Sequence, residues 1–164
     1  MAREIERKYL LINDDWRNLA HQKTHFAQGY LTPLTSAVKS SVRIRIEGEQ
    51  ANFNIKSLEI GLSRDEYEYP IELDDAKKML ATLAVGPVVE KYRYLVDYAG
   101  CTWEIDEFLG ENAGLIVAEV EMQSEDQQLQ LPSWAGREVT EERRFYNISL
   151  SERPYSAWSD EEKL

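Results

Sequence analysis

Charged side chains recur at every second position in a series of short segments along this chain. Such alternation is typical of β-strands, whose successive side chains point to opposite faces. The positions between the charges are largely apolar or aromatic, as expected of a face that packs in a protein core. The alternating charged residues are Glu4, Glu6 and Lys8, Arg43 and Arg45, Lys56, Arg64, Glu66 and Glu68, Lys91 and Arg93, Glu104 and Asp106, and Glu119 and Glu121. Each strand therefore has one face of charges where a half-buried strand normally presents neutral polar groups.

Eight segments have strand character, and turn-forming glycines separate several of them. They are residues 4–12, 26–31, 42–47, 51–58, 63–71, 88–99, 102–109 and 115–122. The short connections favour antiparallel neighbours, because a parallel pair needs a crossover of about a dozen residues or more. Helical periodicity predicts three helices, at residues 14–23, 74–83 and 124–131. The pattern as a whole indicates an α+β, mainly β fold.

The pattern alone leaves two arrangements of these strands open. In the first, the charged face of an open sheet is solvated, and helices cover the other face. In the second, the sheet curls into a barrel whose lumen is lined by seven cations and eight carboxylates. We expect the barrel, because strands disfavour glutamate and the Glu-x-Glu pairs need compensating charges nearby. The predicted fold is a closed eight-stranded antiparallel β-barrel with flanking helices, formed by a single domain of residues 1–164.

The overall charge restricts the partners of the protein. A formal net charge of −11 disfavours duplex nucleic acid and anionic membranes, which would repel the chain on average. No apolar run reaches the roughly 20 residues that span a bilayer, and the charged N-terminus does not resemble a secretory signal. The single cysteine, Cys101, precludes an internal disulfide and fits a reducing compartment. We therefore expect a cytoplasmic protein without nucleic-acid or membrane partners.

The charges inside such a barrel suit a small polyanion together with a metal ion. Arginine and lysine donate charge-assisted hydrogen bonds to phosphate oxygens, of which a triphosphate has many. Carboxylates on the first and eighth strands, which meet when the barrel closes, suit Mg²⁺ or Mn²⁺. The sequence has no readable Ser-His-Asp or Cys-His arrangement and no glycine-rich phosphate loop, so a covalent intermediate is not required. His21 and His25 lack such strand partners and are not expected to bind a metal.

The order of these motifs resembles the CYTH proteins, also called triphosphate tunnel metalloenzymes, and among them the small bacterial inorganic triphosphatases. The family's hallmark is an N-terminal Glu-x-Glu-x-Lys, present here as Glu4-Ile5-Glu6-Arg7-Lys8. The motifs that follow in the family's order are Gln28-Gly29-Tyr30-Leu31, Val42-Arg43-Ile44-Arg45, Ile55-Lys56, Arg64-Asp65-Glu66-Tyr67-Glu68, Lys91-Tyr92-Arg93, Trp103-Glu104-Ile105-Asp106, Glu119-Val120-Glu121, Gly136-Arg137-Glu138-Val139-Thr140 and Tyr146-Asn147. The resemblance covers residues 2–150, and no charged lumen position departs from it.

The resemblance implies a tunnel-shaped β-barrel that hydrolyses or cyclises triphosphate compounds, and it assigns roles to residues. The implied substrate-binding residues are Lys8, Arg43, Arg45, Lys56, Lys91 and Arg93. The implied metal ligands are Glu4, Glu6, Glu119 and Glu121, with Asp106 as a ligand or a close neighbour of the ligands. The implied catalytic residues are Lys8, Glu6 and Glu121. Roles for Arg64, Glu66, Glu68 and Glu104 stay open, including a purely structural network of ion pairs.

The activity that this resemblance favours is hydrolysis of inorganic triphosphate to pyrophosphate and phosphate, with Mg²⁺ or Mn²⁺ as cofactor. One metal would bridge phosphate oxygens, and a second would lower the pKa of an attacking water. Thiamine triphosphatase and class IV adenylyl cyclase are alternatives, although the compact chain has no obvious insertion for a purine site. A non-catalytic polyphosphate or nucleotide sensor is the alternative of another class. It would need the cations but could lose the metal-binding carboxylates, and the presence of all four argues against it. A homodimer is left open.

The C-terminal tail, residues 151–164, lies beyond the resemblance. Tyr155 and Trp158 have i, i+3 spacing and would share one face of a short helix. A frayed terminus is the usual fate of a chain end. Two large aromatic side chains argue for docking instead, since each can bury on the order of 150–250 Å². We expect them to dock near one mouth of the barrel, so that substrate enters from the other.

Overall fold

The computed structural model describes residues 2–33, 35, 37–58 and 62–163. Those residues form nine β-strands, two α-helices and short turns of 3-10 helix. The strands are β1 (Ala2–Leu11), β2 (Gln22–Tyr30), β3 (Ser40–Glu47), β4 (Gln50–Ser57), β5 (Ser63–Ile71), β6 (Val89–Tyr98), β7 (Cys101–Phe108), β8 (Ile116–Glu121) and β9 (Ala135–Glu138). The helices are α1 (Leu73–Thr82) and α2 (Asn147–Glu152). All eight predicted strands are present, and β9 was not predicted as a strand.

The first eight strands close into an antiparallel barrel in the order β1-β5-β4-β3-β2-β6-β7-β8. Closure depends on β1, whose two edges pair with different strands. One edge pairs with β5, where Glu4 lies opposite Arg64, and the other pairs with β8, where Glu6 lies opposite Glu121. Past its pairing with β5, the same edge of β1 pairs with β9. The predicted closed eight-stranded antiparallel barrel is confirmed, and β9 extends one edge of it.

Apolar side chains at alternate positions form the outer face of the barrel, where short segments cover them. In the largest outer cluster Trp103 contacts Tyr9 and Trp134, with ring centroids 5.6 and 5.3 Å apart. Over β3 and β4 the cover is α1, whose Ala76 packs in a cluster with Ile44. Because each strand uses its apolar face outward, its charged face points into the lumen.

One end of the lumen is filled by a second kind of apolar cluster. Val89, Phe108 and Val117 belong to it, and each lies two residues along its strand from a charged lumen position. They therefore share the inward face with those charges. The C-terminal segment contributes Phe145, Leu150 and Trp158 to the same cluster. The barrel is thus charged along part of its lumen and closed by apolar packing at one end.

The helix predicted at residues 14–23 is wrong. Only Asp15–Leu19 forms a turn of 3-10 helix, and Gln22 and Lys23 already belong to β2, paired with β6. Backbone pairing with an available strand edge outweighs the weak helical propensity of this polar stretch. Trp16 supplies the apolar contact of the segment by itself, since it is fully buried against the outer face.

The helix predicted at residues 124–131 is also wrong, because these residues form a bend, a turn and irregular chain. The segment brings Leu129 and Trp134 onto the outer face of the barrel. A helix advances only about 1.5 Å per residue, so a non-helical path can span more of that face. The remaining predicted helix, at residues 74–83, is confirmed as α1. None of the helices in the described part of the chain is long and apolar enough to cross a membrane.

The C-terminal tail docks, as predicted, and is not frayed over the residues that the structure describes. Trp158 is only 5% exposed and packs edge-on against Phe145 and Tyr155, with ring centroids 5.1 Å apart in both cases. The backbone nitrogen of Tyr155 donates a 2.8 Å hydrogen bond to Oδ1 of Asn112. The helical turn is 3-10, over Tyr155–Ala157. These contacts place the tail at the apolar end of the lumen.

Candidate active site

The charged part of the lumen encloses a cavity of about 280 Å³. This volume lies near the lower end of the usual range for small-molecule sites, about 300–1,000 Å³. All the alternating charges identified in the sequence line it except Asp106, which is buried among its neighbours. The lining charges are Glu4, Glu6, Lys8, Arg43, Arg45, Lys56, Arg64, Glu66, Glu68, Lys91, Arg93, Glu104, Glu119 and Glu121. The structure thus brings the predicted substrate-binding and metal-binding side chains into one site.

The four glutamates predicted as metal ligands come from β1 and β8, which pair directly. Three of them pair with cations. Lys56 Nζ lies 2.8 Å from Glu4, Arg64 Nη2 lies 2.8 Å from Glu6, and Lys8 Nζ lies 3.1 Å from Glu119. The fourth, Glu121, is exposed toward solvent.

The line along which β1 and β8 pair is called here the β1–β8 seam, and its carboxylates differ in their protonation. Burial and repulsion from the carboxylates of Glu119 and Glu4 together raise the pKa of Glu6 to about 7. The nearby lysines act in the opposite direction but are outweighed. Burial also acts to raise the pKa of Glu119, but Lys8 and Arg93 outweigh it and hold that pKa well below the ordinary value. Burial and the neighbouring carboxylates therefore act together on Glu6 and favour its protonated form.

A second part of the wall presents cations that have no carboxylate partner. No acidic side chain in the described part of the chain makes a salt bridge to Arg43 or Arg45, and buried guanidinium nitrogens of both lack a hydrogen-bond acceptor. Burial, together with repulsion from Arg43 and Arg93, lowers the pKa of Arg45 to about 10. Buried, unpaired guanidinium groups are unfavourable unless an anion binds them. These two arginines therefore mark where a polyanion is needed.

The neighbouring cations Lys91 and Arg93 share the buried carboxylate of Asp106. Lys91 Nζ lies 2.6 Å from Oδ2 of Asp106, and Arg93 donates to both oxygens of Asp106 at 2.8 and 2.9 Å. Burial, together with repulsion from Arg93, lowers the pKa of Lys91 to about 7 despite the attraction of Asp106. Burial would raise the pKa of Asp106, but the two cations keep it below its ordinary value. Arg93 also pairs with Glu104.

The C-terminal segment supplies lining residues that the strand pattern could not identify. Arg143, Tyr146 and Asn147 line the cavity, although they belong to no strand. The ring of Tyr146 lies 5.1 Å from Lys8 Nζ and 5.1 Å from the guanidinium carbon of Arg64. The only signal for these residues in the sequence was the Tyr146-Asn147 motif, to which no role was assigned.

Four further lining residues, Tyr30, Ser41, Glu47 and Asn54, lie on strands and were missed for a different reason. Glu47 follows Arg43 and Arg45 at the same two-residue spacing, so continuing the alternation by one step would have identified it. Tyr30, Ser41 and Asn54 also face the cavity, but they are uncharged. A search restricted to alternating charge could not find them.

The donor chemistry of the seam fits a hard divalent cation. Glu4, Glu6, Glu119 and Glu121 offer only carboxylate oxygens, the donors that Mg²⁺ and Mn²⁺ prefer. Within the described ranges, no group of three or more acidic, histidine or cysteine side chains is already arranged to hold a metal ion. Three of the glutamates would first have to leave the cations that bind them. The residues fit a metal, provided that another anion takes over those cations.

A wider depression of about 1080 Å³ adjoins the charged cavity at the end away from the apolar cluster. The two share Glu47, Arg93, Glu104 and Glu121. Neutral polar side chains such as Gln22, Gln50 and Gln123 form much of its remaining wall. The charged lumen therefore has an open mouth at one end and apolar packing at the other.

A closed antiparallel barrel with paired and unpaired charges along its lumen defines a tunnel-type β-barrel suited to binding a small polyanion. The model of the CYTH domain family matches residues 2–155 of this chain. The chain belongs to the CYTH family, as its sequence motifs indicated.

Relatives of the chain match it over nearly their whole length. An inorganic triphosphatase of Acetivibrio thermocellus is 39% identical over 160 residues, spanning 98% of this chain and 100% of that protein. An inorganic triphosphatase of Nitrosomonas europaea is 39% identical over 153 residues, spanning 90% and 96%. A crystal structure of an inorganic triphosphatase superposes with a TM-score of 0.64 at 35% identity, over 92% of this chain and 95% of that one.

A more distant solved structure shares the fold alone. It is a Hippeastrum protein described as an adenylyl cyclase with a dominant triphosphatase activity. It superposes with a TM-score of 0.59 at 17% identity, over 74% of this chain and 80% of that one.

Proposed function

We propose that this protein is an enzyme that hydrolyses inorganic triphosphate to pyrophosphate and phosphate with the help of a divalent metal ion. The observation that supports this most strongly is that Arg43 and Arg45 have buried guanidinium nitrogens without an acceptor and no carboxylate partner in the described part of the chain. They face a lumen whose opposite charges gather at the β1–β8 seam. The inorganic triphosphatases of similar sequence support the same activity.

The cations would hold the phosphate chain. Arg43 and Arg45 are free to bind phosphate oxygens without breaking an existing ion pair. Lys8, Lys56, Lys91 and Arg93 would bind the remaining oxygens, as the resemblance implies. Charge-assisted hydrogen bonds of this kind also stabilise the negative charge that develops on the leaving pyrophosphate.

The glutamates of the β1–β8 seam would hold the metal, through Glu4, Glu6, Glu119 and Glu121. When bound, Mg²⁺ or Mn²⁺ would neutralise phosphate charge and acidify the attacking water. Of the three predicted catalytic residues, Lys8 would bind substrate, while Glu6 and Glu121 would serve as metal ligands. We place Asp106 with the cations instead, since both of its oxygens already accept hydrogen bonds from Lys91 and Arg93.

Two features support inorganic triphosphate over a larger triphosphate compound. The charged cavity is small, and apolar packing fills the lumen at one end. A phosphate chain alone could use every charged group without any contact outside the lumen. We also propose a cytoplasmic location, which the single free cysteine, Cys101, supports.

Phosphate release tests this proposal directly. Inorganic triphosphate, ATP and thiamine triphosphate would each be incubated with the full chain, with and without Mg²⁺ or Mn²⁺. We expect the highest kcat/KM for inorganic triphosphate. A higher value for ATP or thiamine triphosphate would refute the assigned substrate, and tight binding of all three without phosphate release would indicate a sensor.

A further inference from the structure

The lumen face of β2 differs from the lumen faces of its neighbours, because its inward side chains carry no charge. These side chains are Phe26, Gln28 and Tyr30, in a strand that lies between the cationic strands β3 and β6. Phe26 is paired in register with Lys91 of β6. It is only 2% exposed, and it lies where the wider depression adjoins the charged cavity.

Three of the proposed phosphate-binding cations surround the ring of Phe26. The guanidinium carbons of Arg93 and Arg45 lie 4.9 and 5.3 Å from the ring centroid. Lys91 Nζ lies 5.6 Å from it. All three distances are within the roughly 6 Å over which the negative face of an aromatic ring attracts a cation.

The three cations need such a surface because they repel one another. Repulsion from Arg93 contributes to lowering the pKa of both Arg45 and Lys91. Lys91 and Arg93 share one carboxylate, and Arg45 has no acidic partner among the described residues. Within the described ranges, the ring of Phe26 is the one aromatic group that lies close to all three cations.

An aromatic ring affects these cations differently from a carboxylate. A carboxylate at this position would neutralise the cations and compete with phosphate for their hydrogen-bond donors. A leucine would fill the same space without attracting them. The ring stabilises the cations through its quadrupole and leaves their N–H groups free to bind phosphate.

We propose that Phe26 is a positioning residue for triphosphate binding, which holds Arg45, Lys91 and Arg93 together with their donors available to phosphate. This inference rests on the proposed function, since it assumes that the lumen binds a triphosphate. It predicts that affinity depends on the electron density of the ring as well as on its shape. A side chain that only filled space would show no such dependence.

A fluorination series at position 26 separates the two roles. Mono-, di- and trifluorophenylalanine weaken the negative face of the ring stepwise with little change in volume. The matched control is the same series at Phe53, which packs against the outer cluster under α1. Two quantities would be measured on the full chain: the Kd of inorganic triphosphate by calorimetry without added metal, and the urea midpoint of the ligand-free protein.

We expect the Kd to rise stepwise with fluorine number at position 26, by roughly three- to tenfold across the series, and to stay constant at position 53. The urea midpoint should fall in the same order at position 26 only. A Kd that stays flat at position 26, or that changes equally at both positions, would overturn the proposal. If the unsubstituted protein failed to bind triphosphate, the proposed function would fail. A urea midpoint that did not change across the series at position 26 would separately refute the contact between the ring and the cations.

Discussion

Glu6 Oε1 lies 2.8 Å from Nη2 of Arg64 at the seam where β1 closes the barrel. Glu119 is bound in the same way by Lys8. Cations therefore pair with carboxylates that we propose as metal ligands. A triphosphate that takes the cations releases the carboxylates for metal, and a metal that takes the carboxylates releases the cations for phosphate. Binding of the two ligands should then be mutually reinforcing.

The two classes of charge should respond differently to substitution. Glu6→Gln or Glu121→Gln should abolish metal-dependent turnover but retain appreciable affinity for triphosphate. Arg43→Ala or Arg45→Ala should weaken triphosphate binding by roughly ten- to a hundredfold, because each removes charge-assisted hydrogen bonds of about 1.5–3 kcal/mol. Phosphate release and calorimetric titration without metal would measure the two effects.

Matched controls for this comparison lie on the outer surface of the barrel. Arg17 and Glu107 form an ion pair there, 2.5 Å apart. Arg17→Ala and Glu107→Gln should leave both turnover and affinity close to those of the unsubstituted protein. Glutamine variants of Glu6 and Glu121 that keep full turnover would show that these carboxylates bind no essential metal.

The raised pKa of Glu6 predicts a pH-dependent stability. Its carboxyl group titrates at about 7 in the folded chain, against an ordinary value of 4.5. The folded state therefore binds more protons between these values, and the free energy of unfolding falls as the pH rises through that window. Glu6→Gln should stabilise the ligand-free protein above pH 7, by at most about 3 kcal/mol, and this gain should vanish near pH 4.5.

Urea unfolding at several pH values would measure this difference. Glu107→Gln is a control of opposite sign, because a hydrogen bond from Arg17 lowers the pKa of Glu107. Its loss should reduce stability at neutral pH and have no effect in acid. A Glu6→Gln variant that is less stable than the unsubstituted protein at pH 8 would contradict the crowding of carboxylates at the seam.

Strand alternation was sufficient to predict the barrel and most of the site. In a strand, the parity of the residue number decides which side chains share a face, so the sequence alone places Glu4 and Lys8 on the same side of β1. Closure into a barrel was then expected because the Glu-x-Glu pairs need compensating charges nearby. The apolar outer face of the same strands supported the same assignment.

The parts that could not be predicted lack this periodicity. Residues 14–23 and 124–131 looked helical, but backbone pairing with β6 and packing on the outer face decided their conformation. Tyr146 lines the cavity from a segment with no strand pattern. The contact of Phe26 with cations of two other strands depends on barrel geometry, which no local pattern encodes.

Asp106 should be required for the wall of the site and not for the metal. Asp106→Asn removes the shared charge beneath Lys91 and Arg93 and should destabilise the ligand-free protein by about 3–5 kcal/mol. Under conditions in which the variant is folded, the dependence of its turnover on metal concentration should stay unchanged. Asp97→Asn, an exposed position on the same strand as Lys91, is the control. A large loss of apparent metal affinity in Asp106→Asn would assign Asp106 to the metal instead.

The docked tail should stabilise the barrel and close one end of it. A chain lacking residues 154–164 loses the buried ring of Trp158 and should unfold several degrees below the full chain. A chain lacking only residues 160–164 keeps that ring and should unfold close to the full chain. The longer deletion should also change the KM for triphosphate, because it opens the apolar end. If both truncated chains melt and turn over like the full chain, the tail has neither role.

The most direct test of the central claim is the metal dependence of triphosphate cleavage. Phosphorus NMR would monitor the reaction of the full chain with inorganic triphosphate. With Mg²⁺ or Mn²⁺, each triphosphate should give one pyrophosphate and one phosphate. Ca²⁺, which prefers longer and looser coordination, should support little cleavage. A chelator should stop the reaction, and added Mg²⁺ or Mn²⁺ should restore it. Undiminished cleavage in chelator, or none with either metal, would contradict the account.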